Sequence, residues 1–166
     1  METLSIVPVE KIPKEVVDCP TDNLLQVYKT CLQMAILCVK ENGIGLSAVQ
    51  TGIPWRLFIV RYMSNGKDSF RFFLNSRYTA LADEKEKSLE GCLSIRNAKG
   101  DFRHFQVDRF ANIKVEGQEL KTDPTLHLET LSLEPVDFYS KVFQHEIDHQ
   151  NLVLISDIGV EFDVWR

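Results

Sequence analysis

His145-Glu146-Ile147-Asp148-His149 places two imidazoles four residues apart, with a carboxylate beside the first. On a helix that spacing puts both rings on one face, where they can bind a single metal ion. Glu146 then stands where a carboxylate can take a proton from water that the metal has acidified. An exposed polar turn could carry the same pair by accident, but the whole chain has only four histidines. Two imidazoles leave a site incomplete, so a third ligand has to come from elsewhere.

Downstream of His149 there is no further histidine, and the carboxylates Asp157, Glu161 and Asp163 have little helix to return them to the metal. Upstream, Glu90-Gly91-Cys92-Leu93-Ser94 offers a cysteine outside any helical stripe, on what reads as a glycine-flanked turn. A bound metal deprotonates such a thiol. One cysteine and two histidines leave an open coordination position, the arrangement of a catalytic rather than a structural site. Cys19, Cys31 and Cys38 read differently. Cys31 and Cys38 fall within an apolar helical pattern, which points to buried free thiols. His127 alternates outward between Leu126 and Leu128, and His104 lies among phenylalanines, so both read as surface or structural residues.

The elements that must position these groups follow from periodicity. Residues 1–20 carry prolines at 8, 13 and 20 and read as an extended arm. Thr21 or Asp22 can cap a helix from Asn23 to about Glu41, whose apolar residues follow three-four spacing, with Gly43 closing it in a left-handed conformation. A strand over Trp55–Tyr62 turns at Asn65-Gly66 and returns along Ser69–Asn75. Residues 83–87 read as a solvated loop, Phe102–Val107 and Ile113–Glu116 as short strands, and Gly117–Pro124 as a turn-rich connection. Thr125–Leu133 alternates but slips phase, which suggests a bulge or an irregular end. The last helix starts near Pro135 and aligns Phe138, Val142, His145 and His149 on one inward stripe.

Gly43-Ile44-Gly45-Leu46-Ser47-Ala48-Val49-Gln50 superficially matches a dinucleotide-binding turn, yet it follows a helix where that fingerprint needs a strand. Its glycines suit a backbone edge that comes close to a ligand or another strand. Together with Glu90-Gly91-Cys92-Leu93-Ser94 and His145-Glu146-Ile147-Asp148-His149, in that order, the stretch resembles the three motifs of the peptide deformylases. The resemblance runs from the first helix to the metal helix.

The resemblance implies a single α+β domain over residues 1–166, with mixed or antiparallel sheets around a central metal-binding helix and an N-terminal helix. It implies hydrolysis of the N-formyl group from N-formylmethionyl peptides, giving formate and a free amine. Cys92, His145 and His149 would hold one divalent ion, Fe(II) in the family, with Zn(II) or Ni(II) able to replace it. Glu146 would be the general acid and base, and Gln50 with the Leu93 N–H would stabilise the oxyanion. Ile44, Gly45, Glu90, Gly91, Phe138 and Val142 would line the substrate groove, and Arg109 would pair with Glu90. Lys141 departs from the family, which usually has an apolar pocket residue one turn before the first histidine. The implied partners are nascent peptides near the ribosome, in the cytoplasm of a bacterium or phage-infected host, or in an organelle.

Composition agrees with an enzyme of this kind. At 166 residues and 44% hydrophobic the chain can bury one core. A net charge of −5 opposes a broad nucleic-acid footprint, and the longest apolar run, Met34–Val39, is too short to span a membrane. Met1–Pro13 lacks the basic start and apolar run of a signal peptide. Two other readings remain at this level: an H-E-x-x-H zinc metalloprotease, and a metal-binding protein without catalysis.

Overall fold

In the computed structural model, which describes residues 3–164, helix α1 (Leu24–Lys40) begins where the Asn23 side chain accepts the Gln26 N–H at 3.1 Å. The cap is therefore Asn23 rather than Thr21 or Asp22. At the other end Asn42, not Gly43, takes the left-handed conformation (φ 55°), and the Gly43 N–H closes on the Cys38 carbonyl at 2.8 Å. The described part of the N-terminal arm lies on the body as expected. It bonds through Val7 N–H to Gln50 O at 2.9 Å and bridges Val17 to Trp55 in parallel.

After α1 come β1 (Gly45–Ser47), a 3-10 turn (Ala48–Thr51), β2 (Leu57–Ser64) and β3 (Lys67–Ala80). The Asn65-Gly66 turn joins β2 to β3 with both residues at positive φ, 51° and 71°, which matches strand twist. Next are β4 (Lys85–Arg96), β5 (Phe102–Phe110), β6 (Ile113–Lys121), β7 (His127–Leu133), α2 (Phe138–Gln150), α3 (Ile155–Ile158) and β8 (Val160–Phe162). Two sheets result, one of order β1-β2-β3-β6-β7 and one of order β4-β5-β8, and every pairing between these strands is antiparallel.

Several boundaries differ from those read in the sequence. The charged segment expected as a loop enters β4 at Lys85, because its lysines and glutamates alternate along a solvated strand. The expected connection at Gly117 is strand as far as Lys121. Of the two alternatives for Thr125–Leu133 the irregular end holds, since β7 begins only at His127 and pairs with β6 in continuous register; the bulge lies in β3, between Leu74 and Arg77. Helix α2 starts at Phe138 after Asp137 at φ 50°, so Pro135 stays outside it.

Helix α2 packs against both sheets, touching β1, β2, β3 and β5. Its buried face carries Phe143 and Ile147 into a cluster with Phe58, Phe73, Ile113 and Val115. Phe143 meets Phe58 and Phe73 edge-on, with ring centroids 5.6 and 4.8 Å apart. A second cluster joins α1 to the opposite side of β2 and β3 through Cys31, Met34, Cys38, Leu57, Ile59 and Leu74. The metal-motif helix is thus clamped on its apolar side, and its histidines face the gap between the sheets.

Candidate active site

Two adjacent turns of α2 and the buried face of β4 bring Cys92, His145 and His149 together, with one ligand atom from each lying within 4.8 Å of the others. Cys92 Sγ is 3.4 Å from His149 Nε2. Cys92 stands in a strand rather than on the expected turn. Here β4 leaves its regular ladder, since the register with β5 jumps between Gly91 and Arg96.

The thiol of Cys92 differs in kind from the other three. Burial alone would raise it, but the charges of and hydrogen bonds from His149 and His145 outweigh that and hold it well below the usual thiol range. Burial instead pushes Cys19 and Cys38 up to about 12 and raises Cys31 as well. All four cysteines are free. A thiolate-prone sulfur beside two imidazoles is a donor set for a divalent ion.

Behind these donors runs a buried polar chain. His145 Nδ1 lies 2.8 Å from Glu90 Oε1, an arrangement that leaves Nε2 for the site. Arg109, the expected partner of Glu90, reaches both of its oxygens at 2.9 and 2.7 Å. Burial opposes the Glu90 charge, yet the bonds from Arg109 and His145 hold its carboxyl down at about 2. Arg109 also pairs with Asp148, which in turn accepts the Tyr78 hydroxyl at 2.9 Å.

Glu146 projects into the same space. Burial raises its carboxyl above the ordinary value, against the lowering effect of the nearby imidazoles. The Ser47 hydroxyl lies 3.0 Å from Glu146 Oε2 and 2.8 Å from its backbone carbonyl. Gly45 is needed here for space, because a Cβ at that position would stand 2.8 Å from Glu146 Oε1. Gln50 caps the 3-10 turn with Oε1 accepting the Ser47 N–H at 2.9 Å. Its Nε2 must therefore face the site, 2.9 Å from Ser94 Oγ and 3.6 Å from Cys92 Sγ.

These groups open on a cleft of about 460 Å³. Ile44, Gly45, Glu90, Gly91, Leu93 and Val142 line it, and Phe138 stands at its rim, more exposed than an inward stripe would place it. His104, read as surface or structural, also reaches the lining, whereas His127 stays apart with Glu129. Asp148 and Tyr78 were not singled out in the sequence, and Ser47 entered only as part of the Gly43–Gln50 stretch. Asp148 lies within the histidine motif, the one signal that could have marked it, while Tyr78 carries none.

The chain matches the model of a family described as polypeptide deformylase over residues 6–161. It is 35% identical over 125 residues to a peptide deformylase of Desulfosudis oleivorans, covering 75% of this chain and 66% of that protein. It is 30% identical over 153 residues to a peptide deformylase of Brachyspira hyodysenteriae, covering 90% of this chain and 70% of the relative. Its fold superposes on a class I type b peptide deformylase of Acinetobacter baumannii with a TM-score of 0.77 and 25% identity, covering 94% of this chain and 98% of the other. With the ordered motifs and the convergent site, these likenesses mean that the chain belongs to the polypeptide deformylase family.

Proposed function

We propose that this protein is a metal-dependent hydrolase that removes the formyl group from N-formylmethionyl peptides, releasing formate and a free N-terminal amine. The carrying observation is convergence: Glu146, Gln50, Cys92 and His145 line one cleft, His149 lies against Cys92, and the edge strand β1 borders the cleft.

The donors suit a resident divalent ion. The thiol is held low, and the Nδ1 of His145 is engaged by Glu90, which leaves its Nε2 to bind. Fe(II) is the native ion in this reading, and Zn(II) or Ni(II) can take the same sulfur and nitrogen donors. Such an ion supplies Lewis acidity, which polarises a carbonyl and makes water a usable nucleophile near neutral pH.

The protein's own groups then divide the work. Glu146, steadied by Ser47, takes a proton from the attacking water and returns it to the departing nitrogen. Its burial-raised carboxyl suits both halves of that exchange. Gln50 Nε2 and the Leu93 N–H donate to the oxygen that gains charge as the formyl carbon becomes tetrahedral. The substrate backbone adds as a strand beside β1, whose outer edge no other strand covers among the described residues. Phe138 and Val142 contact the first side chain.

A protease of the H-E-x-x-H kind would take its third ligand downstream of His149. Asp157 instead accepts the Leu154 N–H at 2.8 Å, and Glu161 pairs with Arg103. In this reading the partners are nascent peptides near the ribosome, in the cytoplasm of a bacterium or a phage-infected cell. No described helix is long and apolar enough to cross a membrane. The deciding experiment is anaerobic purification with metal analysis, then formate release from formyl-Met-Ala-Ser against its acetylated counterpart. Metal-loaded protein that leaves the formyl peptide intact would end this reading.

A further inference from the structure

From His145, helix α2 runs back one turn to Val142 and Lys141 and two turns to Phe138, all on the cleft wall. These side chains therefore lie roughly 5–10 Å along the helix from the metal donors, at about 5.4 Å per turn. A side chain of methionine length reaches that far. Across the cleft β4 contributes Ser88, two residues before Glu90 and on the same strand face.

Two of these wall residues are polar. Ser88 is only 7% exposed, and its hydroxyl makes no hydrogen bond among the described residues. Lys141 lays its stem along the wall and carries its ammonium to Glu86 Oε2 at 2.7 Å. An ammonium has three donors, and that carboxylate oxygen occupies one of them. A purely apolar guest would bury the Ser88 hydroxyl without a partner, which is costly.

We infer that Ser88 and Lys141 determine specificity by giving the side-chain end of the cleft hydrogen-bond donors, so that it accepts a formylated first residue of methionine length ending in an uncharged acceptor, such as glutamine or methionine sulfoxide. The inference rests on the deformylase reading above. An anionic end is disfavoured, because Glu86, Glu90 and Glu146 all border or approach this space. Plain surface pairing of Lys141 with Glu86 would leave specificity untouched, and that is the competing account.

The test compares kcat/KM for formyl-Gln-Ala-Ser and formyl-norleucyl-Ala-Ser, whose first side chains are close in length. The parent should favour norleucine by no more than about tenfold. In the Ser88→Val/Lys141→Leu double variant that preference should rise a further 10- to 100-fold or so, as expected when donors facing an acceptor are removed. Lys141→Arg keeps a donor and should retain the parental ratio, whereas Glu86→Gln frees the ammonium and should shrink the preference for norleucine. Metal content and thermal unfolding establish that each variant is intact, and Lys141→Leu alone serves if the double variant does not fold. An unchanged ratio in an intact variant overturns the inference while leaving the deformylase reading standing. A parent that releases no formate from formyl-Met-Ala-Ser overturns both.

Discussion

Arg109 grips Glu90 with two parallel bonds of 2.9 and 2.7 Å, and the Glu90 oxygen that takes the shorter one also lies 2.8 Å from His145 Nδ1. The orientation of an imidazole in the proposed metal site is thereby tied, through Glu90 of β4, to a guanidinium on β5. Arg109 is 2% exposed and bridges a second carboxylate, Asp148. Arg109→Ala would strand two buried negative charges, so urea unfolding should show a loss of about 3–5 kcal/mol. Metal affinity should fall about 10- to 100-fold through the loosened His145, measured by chelator competition. Parental values for both would mean that the pair is inert.

Glu146 is buried, bonded to Ser47, and outside the cluster of metal donors. Glu146→Gln preserves its shape but cannot accept and return a proton. Metal stoichiometry should stay at the parental level while turnover falls about 10²–10⁴-fold, the usual worth of general acid and base catalysis. Deformylation near the parental rate would remove Glu146 from the mechanism.

The approach of Gly45 to Glu146 gives a sterically sharper case. A methyl group at Gly45 would sit 2.8 Å from Glu146 Oε1, closer than real contacts allow. Gly45→Ala should therefore push the carboxylate aside and lower kcat by about 10²-fold, a cost typical of displacements near 1 Å. Metal content should not change, because the displaced group is not a ligand. Parental kcat would show that Glu146 relocates freely.

The two proposed metal donors on α2 come together because a helix imposes their spacing locally: His145 and His149 share a face wherever the helix lies. Cys92 was legible as chemistry but not as conformation, since the glycine before it suggested a turn and the structure uses it in a disrupted strand. Tyr78 meets Asp148 across 70 residues, and Ser47 meets Glu146 across 99. Such pairings depend on the way two sheets close on one helix, which no local pattern encodes. The strand at Lys85 was hidden for another reason. Its exposed lysines and glutamates lack the apolar alternation that marks half-buried strands.

Away from the site, Arg71 holds Glu119 through two bonds of 2.7 and 2.8 Å. Burial opposes the Glu119 charge, but the bonds from Arg71 and Lys121 win and lower its carboxyl below the ordinary 4.5. A group depressed on folding stabilises the protein above its unfolded value and loses that contribution as pH falls through its folded value. Stability from this pair should thus be complete above about pH 4.5 and decline below it. Arg71 is partly exposed, which keeps the contribution to about 1 kcal/mol or less. Glu119→Gln should flatten that part of the acid limb in urea midpoints measured across pH. An acid limb identical to the parent's would rule the pair out.

The identity of the third ligand can be tested against a cysteine that shares the same chain but not the same surroundings. Cys92 lies beside two imidazoles with its thiol held low, whereas Cys31 is fully buried in the apolar cluster under α1 with its thiol raised by burial. Cys92→Ser exchanges a soft, readily deprotonated donor for a neutral hydroxyl, so metal content after dialysis should drop sharply and activity with it. Cys31→Ser should lower thermal stability through a poorly matched polar group in the core and leave metal content alone. Air provides the second axis. A thiolate beside an open position on Fe(II) is exposed to oxygen chemistry at both iron and sulfur, so the iron form should lose activity in air and keep it under anaerobic handling. Protein loaded with Ni(II) or Zn(II), which do not cycle in the same way, should hold its activity in air. Full metal occupancy in Cys92→Ser, or loss of metal in Cys31→Ser, would mean that the third donor lies elsewhere.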